Sequence, residues 1–145
     1  MSRVFNPVYS STSDGSDVTL CRILEATASM ALAATGGTLP FNRVSTASTN
    51  AVVIKASSGS VYNFMAMNVA NSHGYVKLYD MATQPNPVSD TPDYIIPLHK
   101  DSSVSLALGV APFVFHNGIS MAIVTSSTGG GAVGAGDVVL CLTYL

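Results

Sequence analysis

The chain has 145 residues, a formal net charge of −2 and only 10% charged residues, against about 25% in ordinary soluble domains. Hydrophobic residues make up 48% of it, and its six Lys plus Arg are scattered, with no basic run. That balance excludes intrinsic disorder, nucleic-acid binding through a phosphate-neutralising stripe, and a polybasic patch for an anionic membrane.

The length suits one domain with a core that needs no staples. So little charge asks for a covering partner, because large uncharged apolar patches are usually buried against another chain. The composition therefore points to an oligomer or a lattice component.

Residues 1–17 read as an irregular N-terminal arm, with Pro7, the cluster Ser10, Ser11, Thr12, Ser13, and the turn pair Asp14-Gly15. Nothing from Met1 to Pro7 resembles the apolar run of a secretory signal, so synthesis in a cytoplasm is expected. Residues 18–145 read as a single β-sandwich domain, opening with a strand over Val18–Leu24. The stretch from Ala26 to Ala34 is too short to span a bilayer. Its Ala and Met favour a short helix, while Gly36-Gly37 and Pro40 close it quickly.

From residue 50 the pattern is β. Ala51–Ala56 is rich in β-branched residues, and Ser57-Ser58-Gly59 turns the chain. Val61–Val69 is an apolar run with partial alternation. After the turn Asn71-Ser72-His73-Gly74, Tyr75–Met81 alternates cleanly: Tyr75, Lys77, Tyr79 and Met81 on one face, Val76, Leu78 and Asp80 on the other. Residues 84–92 hold Pro85, Pro87 and Pro92 and read as a crossover loop, with Asp80 and Asp90 as turn caps. Asp93–Leu98 is a strand that Pro97 assigns to an edge or a bulge. Ser103–Leu108 alternates again. Pro112–His116, Asn117-Gly118 and Ile119–Thr125 predict a hairpin, because Asn-Gly readily takes the positive φ of a tight turn. A flexible Gly-rich loop, 129–136, precedes the last strand, Asp137–Tyr144. About eight short strands without strand–helix alternation predict an all-β, antiparallel two-sheet sandwich of jelly-roll type.

No chemistry-bearing constellation stands out. Gly129, Gly131 and Gly134 match GxGxxG, but no helix follows to offer amides to a pyrophosphate. Ser120 lies just after the Asn-Gly pair rather than on a strand-to-helix turn, so it is not a nucleophile elbow. His73, His99 and His116 lack metal-ligand spacing, and Asp90, Asp93 and Asp101 form no defined acid/base pair. Neither a catalytic role nor a cofactor is expected. Cys21 and Cys141 read as two buried thiols, or as a disulfide if the first and last strands meet in the right geometry. The candidate interface is Tyr75, Lys77 and Tyr79 on one strand face with the nearby His73. Tyr75 and Tyr79 could anchor a protein contact, stack on a carbohydrate, or simply belong to a core or rim face of the sandwich.

From Val53 to Tyr144 the chain resembles small virion proteins of tailed phages and prophages. The resemblance is carried by Ile54-Lys55-Ala56 with Gly59, Asn68-Val69-Ala70-Asn71, Val76–Asp80 with Ala82-Thr83 and Pro85, Asp90-Thr91-Pro92, Ile95–Leu98, Phe115 with Gly118-Ile119-Ser120, and Asp137–Tyr144. It implies a non-enzymatic β-sandwich that decorates or cements the outer capsid. It also implies the major capsid protein as partner and self-association as a homotrimer. The alternative is a receptor- or glycan-binding module of a tail or head fibre. This chain departs from the expected pattern over Thr125–Gly131, where aspartates are replaced by Ser126, Ser127, Thr128 and glycines.

Overall fold

The computed structural model describes residues 37–145. The architecture below is that of the unit Thr38–Leu145. The expected arm over 1–17, the strand over Val18–Leu24 and the Ala26–Ala34 stretch lie outside the described residues.

Nine strands follow: β1 (Leu39–Val44), β2 (Val52–Lys55), β3 (Gly59–Asn68), β4 (Gly74–Asp80), β5 (Tyr94–Leu98), β6 (Ser102–Ala107), β7 (Phe113–Phe115), β8 (Ile119–Val124) and β9 (Val138–Tyr144). They form a five-stranded sheet, ordered β1-β9-β3-β6 with β7 also on β3, and a four-stranded sheet, ordered β2-β8-β4-β5. Every strand pair is antiparallel. With β7 set aside, the pairing is nested: β1 with β9, β2 with β8, β3 with β6, β4 with β5. That is the jelly-roll order. The expected all-β sandwich is thus present, with nine strands among the described residues rather than about eight.

The core lies between the sheets. Val61, Phe64, Ala66, Leu140 and Leu142 meet Val76, Leu78, Ile119, Met121 and Ile123, all buried. Side chains along a strand alternate between faces, yet Val61 and Phe64 of β3 both point inward. A register shift between Val61 and Asn63 supplies the extra residue that resets the alternation.

Two expectations need correction. The chain after Gly37 is a strand: β1 pairs with β9 from Leu39↔Tyr144 to Val44↔Val139. Pro40 is tolerated because β1 is an edge strand, as Pro97 is on edge strand β5. The second correction is Asn117-Gly118, which is not a hairpin turn. β7 belongs to the five-stranded sheet and β8 to the four-stranded one, so the pair carries the chain from one sheet to the other. Neither residue has positive φ. Gly118 is required by crowding instead: a Cβ there would sit 2.7 Å from both Ala82 Cα and Met81 O, which are backbone atoms that cannot step aside.

Asp80, at the end of β4, fixes this crossing. Its Oδ1 accepts from the amides of Asn117 (2.6 Å) and Gly118 (3.3 Å), so it caps a turn as expected. Asp90 likewise accepts from the Asn86 amide at 2.7 Å. The Asn117 amide, helped by those of His116 and Gly118, holds the Asp80 carboxyl below its ordinary value of 3.8. A depressed carboxylate contributes stability above its unfolded value and loses it as pH falls through the folded one.

Gly118→Ala is expected to cost about 1–3 kcal/mol in urea unfolding through overpacking. Gly129→Ala, where the nearest atom is 3.6 Å away, should change little. Asp80→Asn should be less stable than wild type at neutral pH. Urea midpoints measured in an acid series should converge as pH drops below 3.8.

Candidate functional site

Tyr75, Lys77 and Tyr79 lie on the face of β4 turned away from the core, opposite Val124, Ala122 and Ser120 of β8. They are not a surface. Lys77 and Tyr79 are each only 1% exposed. The proline loop and the Gly-rich loop close over them: Lys77 Nζ donates to Gly129 O at 2.8 Å and to Pro87 O at 3.4 Å. The loops also touch each other, since a Cβ on Gly130 would sit 3.0 Å from Val88 Cγ2. An interface at Lys77 and Tyr79 is therefore corrected to a third layer on the four-stranded sheet. The chain hides this row because the tyrosine ring and the lysine stem have apolar area to bury, and nearby loop carbonyls satisfy the ammonium.

Burial lowers the Lys77 pKa. Tyr79 is pushed up to about 12, mainly by burial and secondarily by the charge of Asp90. Its hydroxyl is buried without a hydrogen-bond partner among the described residues. Tyr75 is half-buried against the cluster of Tyr79, Ala122 and Val124. His73 is exposed at the strand entrance, its ring edge-to-face with His99 at 5.3 Å. The four candidate residues thus do not share one accessible patch.

The Gly-rich loop is pinned rather than flexible. Bridges Val124↔Ala132 and Ser48↔Val133 hold it, Thr125 N donates to Gly131 O at 3.0 Å, and Gly134 N donates to Asp137 Oδ2 at 2.7 Å. Ser120 is fully buried and its hydroxyl donates to Met81 O at 3.1 Å, while His116 is exposed, so no nucleophile–base pair forms. Among the described residues no group of three His, Cys, Asp or Glu could hold a metal ion.

Most of the exposed apolar residues within strands are on the other sheet. Across β1, β9, β3 and β6 the outward rows read Pro40, Thr143, Asn63, Ala107, then Asn42, Cys141, Met65, Ser105, then Val44, Val139, Met67, Ser103. None of these side chains is charged. Val44 is 58% exposed, Met65 55%, Met67 46% and Val139 40%. Asn63 Nδ2 donates to Thr143 Oγ1 at 3.0 Å, so the polar groups within the face are partly satisfied by one another. Cys141 carries a free, half-buried thiol here, and Cys21 lies outside the described residues. An uncharged, methionine-bearing face is suited to contact with another protein. The sequence signal for it was β3 itself, apolar on both parities: Phe64 and Ala66 inward, Met65 and Met67 outward.

Lys77→Met keeps the apolar stem and removes both loop hydrogen bonds. Hydrogen exchange of the 126–131 amides should accelerate, while global stability shifts by no more than about 1.5 kcal/mol.

No family model matches the chain, and no curated protein matches it either. Solved structures give distant similarities. One is from a study of Bacillus endospore appendages described as disulfide-linked pili, at 15% identity and a TM-score of 0.41, covering 74% of this chain and 81% of that one. Another is the Tobacco streak virus coat protein, at 12% identity and a TM-score of 0.33, covering 74% of this chain and 85% of that one. The coat protein dimer of the same virus gives 13%, 0.33, and coverages of 74% and 83%.

Proposed function

We propose that this chain is a non-enzymatic structural protein of a tailed-phage particle, decorating or cementing the outer capsid surface against the major capsid protein. The observation that carries the reading is the uncharged outer face of the five-stranded sheet, with Val44, Met65, Met67 and Val139 in the open. A protein that seals seams between capsid subunits needs a broad, mostly uncharged contact face rather than a concave pocket. The sequence blocks from Val53 to Tyr144 support the same reading, and with it assembly as a homotrimer made in the host cytoplasm. Many copies on one particle let individually weak contacts add up.

The receptor- or glycan-binding alternative rests on Tyr75, Tyr79 and His73 lining one exposed site; Tyr79 is buried, which removes the stacking pair, and His73 alone of the three is exposed.

Quantitative mass spectrometry of purified particles measures copy number relative to the major capsid protein. A ratio near unity is expected for a protein spread over the capsid lattice. A few copies per particle would move the protein to the tail or a unique vertex and overturn the cement reading.

A further inference from the structure

The four sheet edges differ. β1 carries Pro40 and Arg43, β2 has four residues with a register break and Lys55, and β5 carries Pro97. Proteins blunt exposed edges with such devices, because a bare edge recruits another strand. β6 has none of them. It holds no proline and no charge, and its register with β3 is unbroken from Asn63↔Ala107 to Asn68↔Ser102. Among the described residues β3 is its one strand partner.

The phase of the pairing decides which groups are free. Leu108 N donates to Tyr62 O at 2.9 Å, in register with the β3–β6 ladder. Antiparallel bonds join directly opposite residues at every second pair. Leu106 and Val104 therefore turn their backbone groups toward β3. Ser103, Ser105 and Ala107 turn theirs outward.

We infer that β6 is the docking edge for a second copy of this chain, paired antiparallel, β6 against β6, across a two-fold axis through Ser105. A two-fold axis generates an antiparallel strand pair from identical edges. The three outward residues are spaced symmetrically about Ser105, so Ser103 of each copy faces Ala107 of the other, and every free N–H finds a carbonyl. Their small side chains, exposed on the outer face, admit the close approach. On the inner face Val104 meets Leu106 of the other copy. There the new strand covers the mouth of an open apolar groove of about 590 Å³, lined by Tyr94, Ile96, Val104, Leu106 and Phe113. No charged residue lies within β6, so no like charges meet along the paired strands. Two five-stranded sheets become one continuous sheet, and the uncharged outer faces merge into a surface twice as wide. This pairing does not depend on the capsid reading, and it joins copies two at a time whether they stand alone or in trimers.

Sedimentation of the full chain over a range of concentrations, with two variants, tests it. Ser105→Pro removes the donor on the axis without removing a bond to β3. Ser105→Lys sets two ammonium groups opposite each other on an exposed face. Wild type is expected to associate pairwise, both variants to lose that step, and an equimolar mixture of Ser105→Lys with Ser105→Glu to regain it. Ser105→Lys alone decides if Ser105→Pro fails to fold. A wild-type chain that shows no pairwise step, or one whose pairwise step persists in folded Ser105→Lys, would overturn the inference, and neither result bears on copy number per particle.

Discussion

A single buried ammonium sets the layering of this molecule. A charge taken out of water is costly unless hydrogen bonds replace its hydration. Lys77 meets that demand with carbonyls from two loops that are far apart in sequence, Pro87 and Gly129. The loops are thereby drawn onto the outer face of the four-stranded sheet, where Tyr79, Ala122 and Val124 give them an apolar floor. The central strands of one sheet, β4 and β8, are covered on both faces by their own chain, and β8 is buried at all six of its positions. The five-stranded sheet receives no such cover from the described residues, and its outer face is left to meet something else.

Other buried polar groups hold loops to the sandwich in the same manner. Asn50, with φ of 50°, accepts from the Thr46 amide at 2.8 Å and donates to the carbonyls of Thr46 and Ser48, closing the β1–β2 connection. Ser45 donates to Gly134 O at 2.8 Å and accepts from Val138 N at 3.0 Å, locking the Gly-rich loop to the start of β9. Asn68 ties the β3–β4 turn to β5 through Ser72 O and Leu98 O. Each satisfies its own donors while satisfying backbone groups that no strand partner reaches. The connections are fixed with few charges, which is how a chain with 10% charged residues keeps ordered loops.

The strands were legible in the sequence wherever alternation and turn residues agreed. β4, β6 and β9 follow their patterns, and Pro97 correctly marked an edge. β1 was hidden because Pro40 reads as a stop unless its strand is known to lie at an edge. Asn117-Gly118 was misread for a related reason. Local turn chemistry cannot distinguish a reversal within one sheet from a crossing between two, and the deciding contact, with Ala82, comes from elsewhere in the chain. The alternation groups the tyrosine–lysine row on one face of β4 without saying which way that face turns. Its burial depends on loops whose closure over Lys77 leaves no periodic trace. The uncharged face opposite was visible only as an apolar excess in β3, since Ser103, Asn63 and Thr143 look like ordinary solvent-facing positions until the register assembles them.

The nested pairing of β1 with β9 has a consequence in time. β1 has no partner until β9 has been synthesised, and β2 waits for β8. Closing such long loops before any contact rewards them makes this topology slow to form. The inner pairs β3–β6 and β4–β5 can form before β9 exists, and Leu140 and Leu142 then close the five-stranded sheet by joining β1 to β3.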